Sequence, residues 1–281
     1  MSEHENVGRR DILKAMALAS TGLATGAAVA QSTPRAERAN GKAAVVTGSS
    51  RGIGAATAKR LARDGYAVAV TYERSRDAAA GVVREIESNG RRAICVQVDV
   101  SDANAVTRLF DATEDAFGGV DVVVSNAGIM RLAPIRDMND ADFSRMMDVN
   151  LKGSFYVLRE AARRVRDGGR IITLSSSITL LRSPTYGPYA VTKGAQELFA
   201  NVLAKEVAGR RISVNAVAPG VVNTPLFTDG KTPQQIAGFV ERTPHKRLGE
   251  PTDIADVISV LCSADGSWVN GQTIFANGGI V

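Results

Sequence analysis

The chain has 281 residues, 44% of them hydrophobic and 22% charged, a globular composition without wholesale disorder. Its formal net charge of +5, with no Lys/Arg stripe interleaved with aromatics, argues against a nucleic-acid partner. Cys95 and Cys262 both sit in apolar runs and read as small buried hydrophobes, and the two histidines, His4 and His245, leave almost no candidates for a His-ligated metal or a His general base.

Residues 1–30 read as an address. Gly8-Arg9-Arg10-Asp11-Ile12-Leu13-Lys14 opens a weakly apolar stretch that ends at Ala28-Val29-Ala30, and the pattern resembles a twin-arginine export signal with a small-residue cleavage site. Lys14 and the glycines make the segment too short and too polar for a stable membrane span. The expected organisation is a leader over 1–30, a linker over 31–41 and one catalytic domain over 42–281. Export to the periplasm or cell envelope is expected, or a cytoplasmic location if the leader is not used.

From residue 42 onward, short β-branched runs at 43–47, 67–71, 93–98, 120–124, 170–174, 212–217 and 273–275 predict seven strands, separated by segments with helical spacing. Strands separated by helices pair in parallel, which predicts an α/β, doubly wound sheet with helices on both faces. Directly after the first strand comes Thr47-Gly48-Ser49-Ser50-Arg51-Gly52-Ile53-Gly54. A glycine-rich turn between a strand and a helix lets backbone approach a pyrophosphate while the helix directs its first amides at the anion. The lysine of a triphosphate-binding loop is absent.

The end of the second strand decides between the two nicotinamide dinucleotides, because an acid there would hold ribose hydroxyls and repel a 2′-phosphate. That end is the neutral Tyr72, and Arg51 with Arg74 or Arg76 supplies cations for a phosphate, although Glu73 is an opposing neighbour. NADP(H) is therefore favoured over NAD(H).

The second constellation begins at Ser176, at a strand end, and continues with Tyr189 and Lys193 in a helix opened by Pro188. A spacing of four puts the phenol and the amine on one helix face. A phenol titrates near pH 10, so its use as an acid/base calls for a neighbouring cation in a water-poor cleft.

These motifs, in this order, resemble the short-chain dehydrogenase/reductase family of the single-domain, Rossmann-like type, over essentially all of residues 42–281. Further matching positions are Asp99-Val100 by the adenine, Asn126-Ala127-Gly128 beside the cofactor, Asn150 as a fourth catalytic residue, and Pro219-Gly220 with Val222 and Thr224 near the carboxamide. Among Ser175, Ser176 and Ser177, the family's separation of thirteen residues from the tyrosine selects Ser176. Ser125 and Thr173 stand where the family often has asparagine.

The resemblance implies hydride transfer between NADP(H) and a carbonyl or secondary alcohol, with Tyr189 as proton donor and Ser176 bonded to the same oxygen. Lys193 lowers the tyrosine pKa and holds the ribose, and Asn150 anchors a water. It also implies a lid over 221–249, an apolar substrate site involving Met130, Leu132, Leu226, Phe227 and Phe239, and a homotetramer or homodimer. That assembly would form through helices near 141–165 and 188–207, whose apolar faces, with Phe155, Leu158, Leu198 and Val202, fit both core packing and a subunit interface. A 3-oxoacyl reductase and a broad carbonyl reductase fit equally. The alternatives are an NAD-dependent sugar or secondary alcohol dehydrogenase, and a cofactor-sensing protein without turnover.

Overall fold

Runs such as Ala43–Val46 and Val120–Ser125 are buried along their whole length, as strands covered on both faces must be. The computed structural model describes residues 41–281, so the leader and nearly all of the linker lie outside the described residues. In chain order the strands are β1 (Ala43–Val46), β2 (Ala67–Tyr72), β3 (Ala93–Gln97), β4 (Val120–Ser125), β5 (Val165–Leu174), β6 (Ser213–Pro219) and β7 (Thr273–Ala276). They form one sheet in the order β3-β2-β1-β4-β5-β6-β7, and every pairing is parallel. The order reverses between β1 and β4, and a crevice opens beyond their carboxyl ends.

The longer helices are α1 (Gly52–Asp64), α2 (Arg76–Ser88), α3 (Ala103–Phe117), α4 (Asp140–Met146), α5 (Gly153–Arg164), α7 (Gly187–Glu206), α9 (Pro233–Arg242) and α10 (Pro251–Cys262). Two four-residue turns of helix, α6 (Ile178–Leu181) and α8 (Pro225–Thr228), complete the set among the described residues. Strand alternation divides the core in two. Ala44, Val46, Val122 and Val124 face α1, α2 and α10, whereas Val45, Val123, Ile171 and Val214 face α3, α5 and α7. Leu61 on one side and Phe110 on the other are fully buried, each worth roughly 1.5–3 kcal/mol relative to exposure.

One expectation is refined and one is corrected. The helix expected over 141–165 is α4 and α5 joined by a π-helical turn, Met147–Lys152, and the extra residue per turn directs Asn150 inward. Leu158 takes the first of the two roles its apolar face allows, packing in the core on the sheet side rather than at a subunit contact. Cys95 is exposed, since β3 is the sheet edge and cover by the flanking helices runs out there, whereas Cys262 is buried as expected. Burial pushes the Cys262 thiol up to about 12. Among the described residues no helix is long and apolar enough to cross a membrane.

Candidate active site

The glycine turn is built by hydrogen bonds from outside it. Gly48 N–H donates to Thr71 Oγ1 at 2.9 Å, Thr71 N–H donates to Ser49 Oγ at 2.8 Å, and Asn126 Nδ2 donates to the Thr47 and Gly48 carbonyls at 2.8 and 3.1 Å. Gly48 adopts φ +63°, and a Cβ on Gly54 would lie 2.5 Å from both Asn126 Nδ2 and the Gly48 carbonyl. Arg51 at the N-cap of α1 offers no side-chain cap, so the first-turn amides of Gly52, Ile53 and Gly54 lack intrahelical acceptors.

That uncapped turn borders a cleft of about 960 Å³. Gly48, Ser50, Arg51, Gly52, Ile53 and Gly54 line one wall, Tyr72 and Arg74 stand at the end of β2, and Asp99 and Val100 lie beyond β3. Asn126, Ala127 and Gly128 close the side at β4, and Thr224 packs against the turn, its methyl 3.3 Å from where a Cβ on Gly52 would be. A dinucleotide fits this cleft, because unpaired helix amides, a backbone too close for side chains and an elongated space meet in one place.

A smaller chamber of about 120 Å³ adjoins it and shares Ile53, Asn126, Met130, Thr224, Leu226 and Phe239 with the cleft. Ser176, Tyr189 and Lys193 line this chamber, as do Pro219, Gly220 and Val222. The three consecutive serines differ in what they bind. Ser175 Oγ donates to the Lys193 carbonyl at 3.0 Å and pairs with Glu197 Oε1 at 2.6 Å, and Ser177 Oγ lies 3.3 Å from the Ala218 carbonyl it donates to. Ser176 Oγ accepts a 3.3 Å bond from Ile178 N–H and keeps its own proton for a partner in the chamber.

Tyr189 and Lys193 share one face of α7, with the amine 5.7 Å from the phenol ring centroid. Lys193 Nζ donates to the Leu174 carbonyl at 2.7 Å. Burial pushes the ammonium down to about 8. Burial also holds the phenol above its usual value, and Tyr186 adds to this while the Ser176 hydrogen bond pulls the other way. Met146 and Ile178 pack around the ring, and such burial disfavours its anion.

Asn150 lies behind this pair. Its Oδ1 accepts from Ile129 N–H at 2.9 Å, its Nδ2 donates to the Ile129 carbonyl at 2.8 Å and to Thr192 Oγ1 at 3.1 Å, and its main-chain carbonyl accepts from Gln196 Nε2 at 2.8 Å. It ties the loop after β4 to α7. Gly128 lies between, and a Cβ there would be 3.3 Å from Asn150 Oδ1 and 3.7 Å from Lys193 Nζ.

Of the apolar residues expected near substrate, Met130, Leu226, Phe227 and Phe239 line the small chamber, and Leu132 lines the larger cleft. Phe227 and Phe239 meet edge to face at 5.2 Å. Sequence reasoning missed Thr71 and Ser49, which fix the turn, Glu197, which ties down Ser175 and Thr179, and Arg145, which reaches Asp99 and Glu73. Thr71, Glu197 and Arg145 act through contacts remote in sequence that no local motif marks, and Ser49, though inside the glycine motif, is fixed by its bond from Thr71 N–H. Among the described residues no group of His, Cys, Asp and Glu is placed to hold a metal ion.

Comparison with known proteins places this geometry in context. The family described as enoyl-(acyl carrier protein) reductase matches residues 47–281. Versicolorin reductase of Emericella nidulans is 41% identical over 257 residues, covering 86% of this chain and 96% of its own. A Burkholderia cenocepacia short-chain dehydrogenase, crystallised with NADP, superposes with a TM-score of 0.82 at 37% identity, covering 86% of this chain and 99% of that one. An angucycline C-6 ketoreductase with bound NADP gives a TM-score of 0.82 at 36% identity, with 86% and 96% covered.

Proposed function

This chain belongs to the short-chain dehydrogenase/reductase family, and from that footing we propose that it is an NADP(H)-dependent reductase of ketones and related carbonyls, acting on the CH–OH/C=O couple. The observation that carries the reading is the convergence of Ser176, Tyr189 and Lys193 on a chamber that opens into the cleft of the uncapped glycine turn. The cofactor preference draws on the neutral Tyr72 and on Arg51 and Arg74 in the cleft, and on two structural relatives that hold NADP.

The nicotinamide, when bound, supplies the hydride. Ser176 Oγ–H donates to the substrate carbonyl oxygen and fixes its position. Tyr189, whose phenol is held protonated by burial, delivers its proton to that oxygen as negative charge develops there. Lys193, pushed down to about 8, remains mostly ammonium at neutral pH and stabilises the phenolate left behind. Asn150 holds α7 against the loop after β4, so the lysine and the phenol keep their register. Phe227, Phe239, Leu226 and Met130 favour a substrate with an uncharged, apolar body. The exposed apolar side chains of α5 and α7 favour a homotetramer or homodimer.

The test is steady-state turnover of a panel of ketones and 3-oxoacyl esters with NADPH and NADH. Turnover by the wild type, lost in Tyr189→Phe with NADPH binding retained, supports the reading. Tight NADPH binding without turnover anywhere on a wide panel would instead identify a cofactor-sensing protein.

A further inference from the structure

We propose that Arg145 sets cofactor selectivity by cancelling the charge of Glu73, which leaves the end of β2 open to a 2′-phosphate. This rests on the NADP(H) reading above. An acid at the end of the second strand of such a sheet ordinarily accepts the ribose hydroxyls and repels a phosphate. Glu73 follows β2 directly and lines the same cleft as Arg51 and Arg74, so as an isolated carboxylate it would oppose both arginines.

It is not isolated. Glu73 Oε1 accepts from Arg74 Nε at 3.1 Å and from Arg145 Nη2 at 3.1 Å. The Arg74 side chain is 83% exposed and among the described residues pairs with its sequence neighbour Glu73, which leaves it able to turn toward a phosphate. Arg145 is fixed. It reaches over from α4, its Nη1 donates to Ser101 Oγ at 2.9 Å, and its Nη2 also meets Asp99 Oδ2 at 3.2 Å. Asp99 is itself held, through Oδ1, by the Ser101 amide at 2.9 Å and the Ser101 hydroxyl at 2.6 Å.

One guanidinium thus stands as the shared counter-ion of two carboxylates at the adenosine end of the cleft. Three arginines against two carboxylates leave one positive charge here, and without Arg145 they leave none. Glu73 would then compete for Arg74 and repel a phosphate dianion. Arg145 is accordingly a positioning residue, acting on the cofactor through Glu73.

The ratio of the NADPH and NADH dissociation constants, read by fluorescence of the bound reduced nicotinamide, isolates this effect. Any change at the adenine that arises through Asp99 weakens both cofactors alike and cancels. Arg145→Gln should weaken NADPH by roughly five- to tenfold at low salt while NADH changes less, given what a partly exposed charge contributes against a phosphate dianion. Adding Glu73→Gln should restore the wild-type ratio, and Arg145→Lys, which keeps the charge, should hold the ratio within about twofold. Equal weakening of both cofactors would overturn the proposal, and so would a lost NADPH preference that Glu73→Gln fails to restore. A wild type that binds NADH and not NADPH would sink the cofactor reading itself, whatever the variants do.

Discussion

Tyr189 and Lys193 carry opposite consequences of the same burial. The phenol is held in its protonated form and the amine is brought closer to losing its proton. Removing the phenolic oxygen in Tyr189→Phe should lower kcat by on the order of 10²- to 10⁴-fold, with NADPH affinity changed by no more than a few-fold. Stopped-flow turnover beside a fluorescence titration checks both. The lysine also leaves a mark on stability. Between its buried pKa of about 8 and its unfolded value of 10.5, the unfolded chain holds a proton that the native protein has released, so this residue's contribution rises with pH across that window. Below about 8 both states are protonated and the full cost of burying the charge is present. Lys193→Met removes the effect. The wild-type minus variant difference in unfolding free energy should climb on the order of 3 kcal/mol from pH 8 to 10.5 in urea melts, and a flat difference would sink the argument.

At the scale of elements, the turn between β1 and α1 has no room to vary. Gly54→Ala places a methyl against Asn126 and the Gly48 carbonyl, so it should cost about 1–3 kcal/mol and abolish NADPH binding. Thermal melts with and without NADPH check this, and a ligand-induced rise in Tm like that of the wild type would refute it. This turn was legible in the sequence because its glycines, its strand and its helix are contiguous. The Tyr189-to-Lys193 spacing was legible for the same reason, since a helix converts a spacing of four into a shared face. Choosing Ser176 from three serines needed the family's spacing, and the structure gives it a physical counterpart in the bonds that occupy Ser175 and Ser177. The π-turn at Asn150, the Thr71 brace and the Arg145 bridge were not legible. Each depends on where distant segments meet, and propensity and periodicity carry no record of that.

For the whole molecule, the parallel, doubly wound sheet followed from the alternation of strands and helices, whereas its strand order came from the structure and assembly does not follow from a single chain's fold. Phe155, Leu198 and Val202, exposed by 44%, 69% and 49%, form the apolar candidates for a subunit contact on α5 and α7. A glutamate at Leu198 buries nothing within the chain, so Leu198→Glu should leave the monomer's fold intact and reduce the mass seen by analytical ultracentrifugation. A wild type that sediments as a monomer would overturn the oligomer reading. Leu158, which sequence grouped with these residues, is core, and its substitution by alanine should instead cost about 2–5 kcal/mol in chemical denaturation.

The segment spanning 223–248 leaves and rejoins the body where Val222 bridges Gly249, Asn223 N–H donates to the Gly249 carbonyl at 2.8 Å and Gly249 N–H donates to the Val221 carbonyl at 2.9 Å, and His245 N–H fastens it again to the Gly278 carbonyl at 3.2 Å. Its Thr224 and Thr243 are buried against the body, whereas α8 and α9 between them carry no buried side chain. The segment contributes Phe227 and Phe239 to the chamber wall, while the groups proposed for proton delivery come from the body outside it. Changes confined to Phe227 and Phe239 should therefore redraw which compounds are accepted while Thr224 and the glycine turn stay in place, so that selectivity can drift without a matching change in the chemistry.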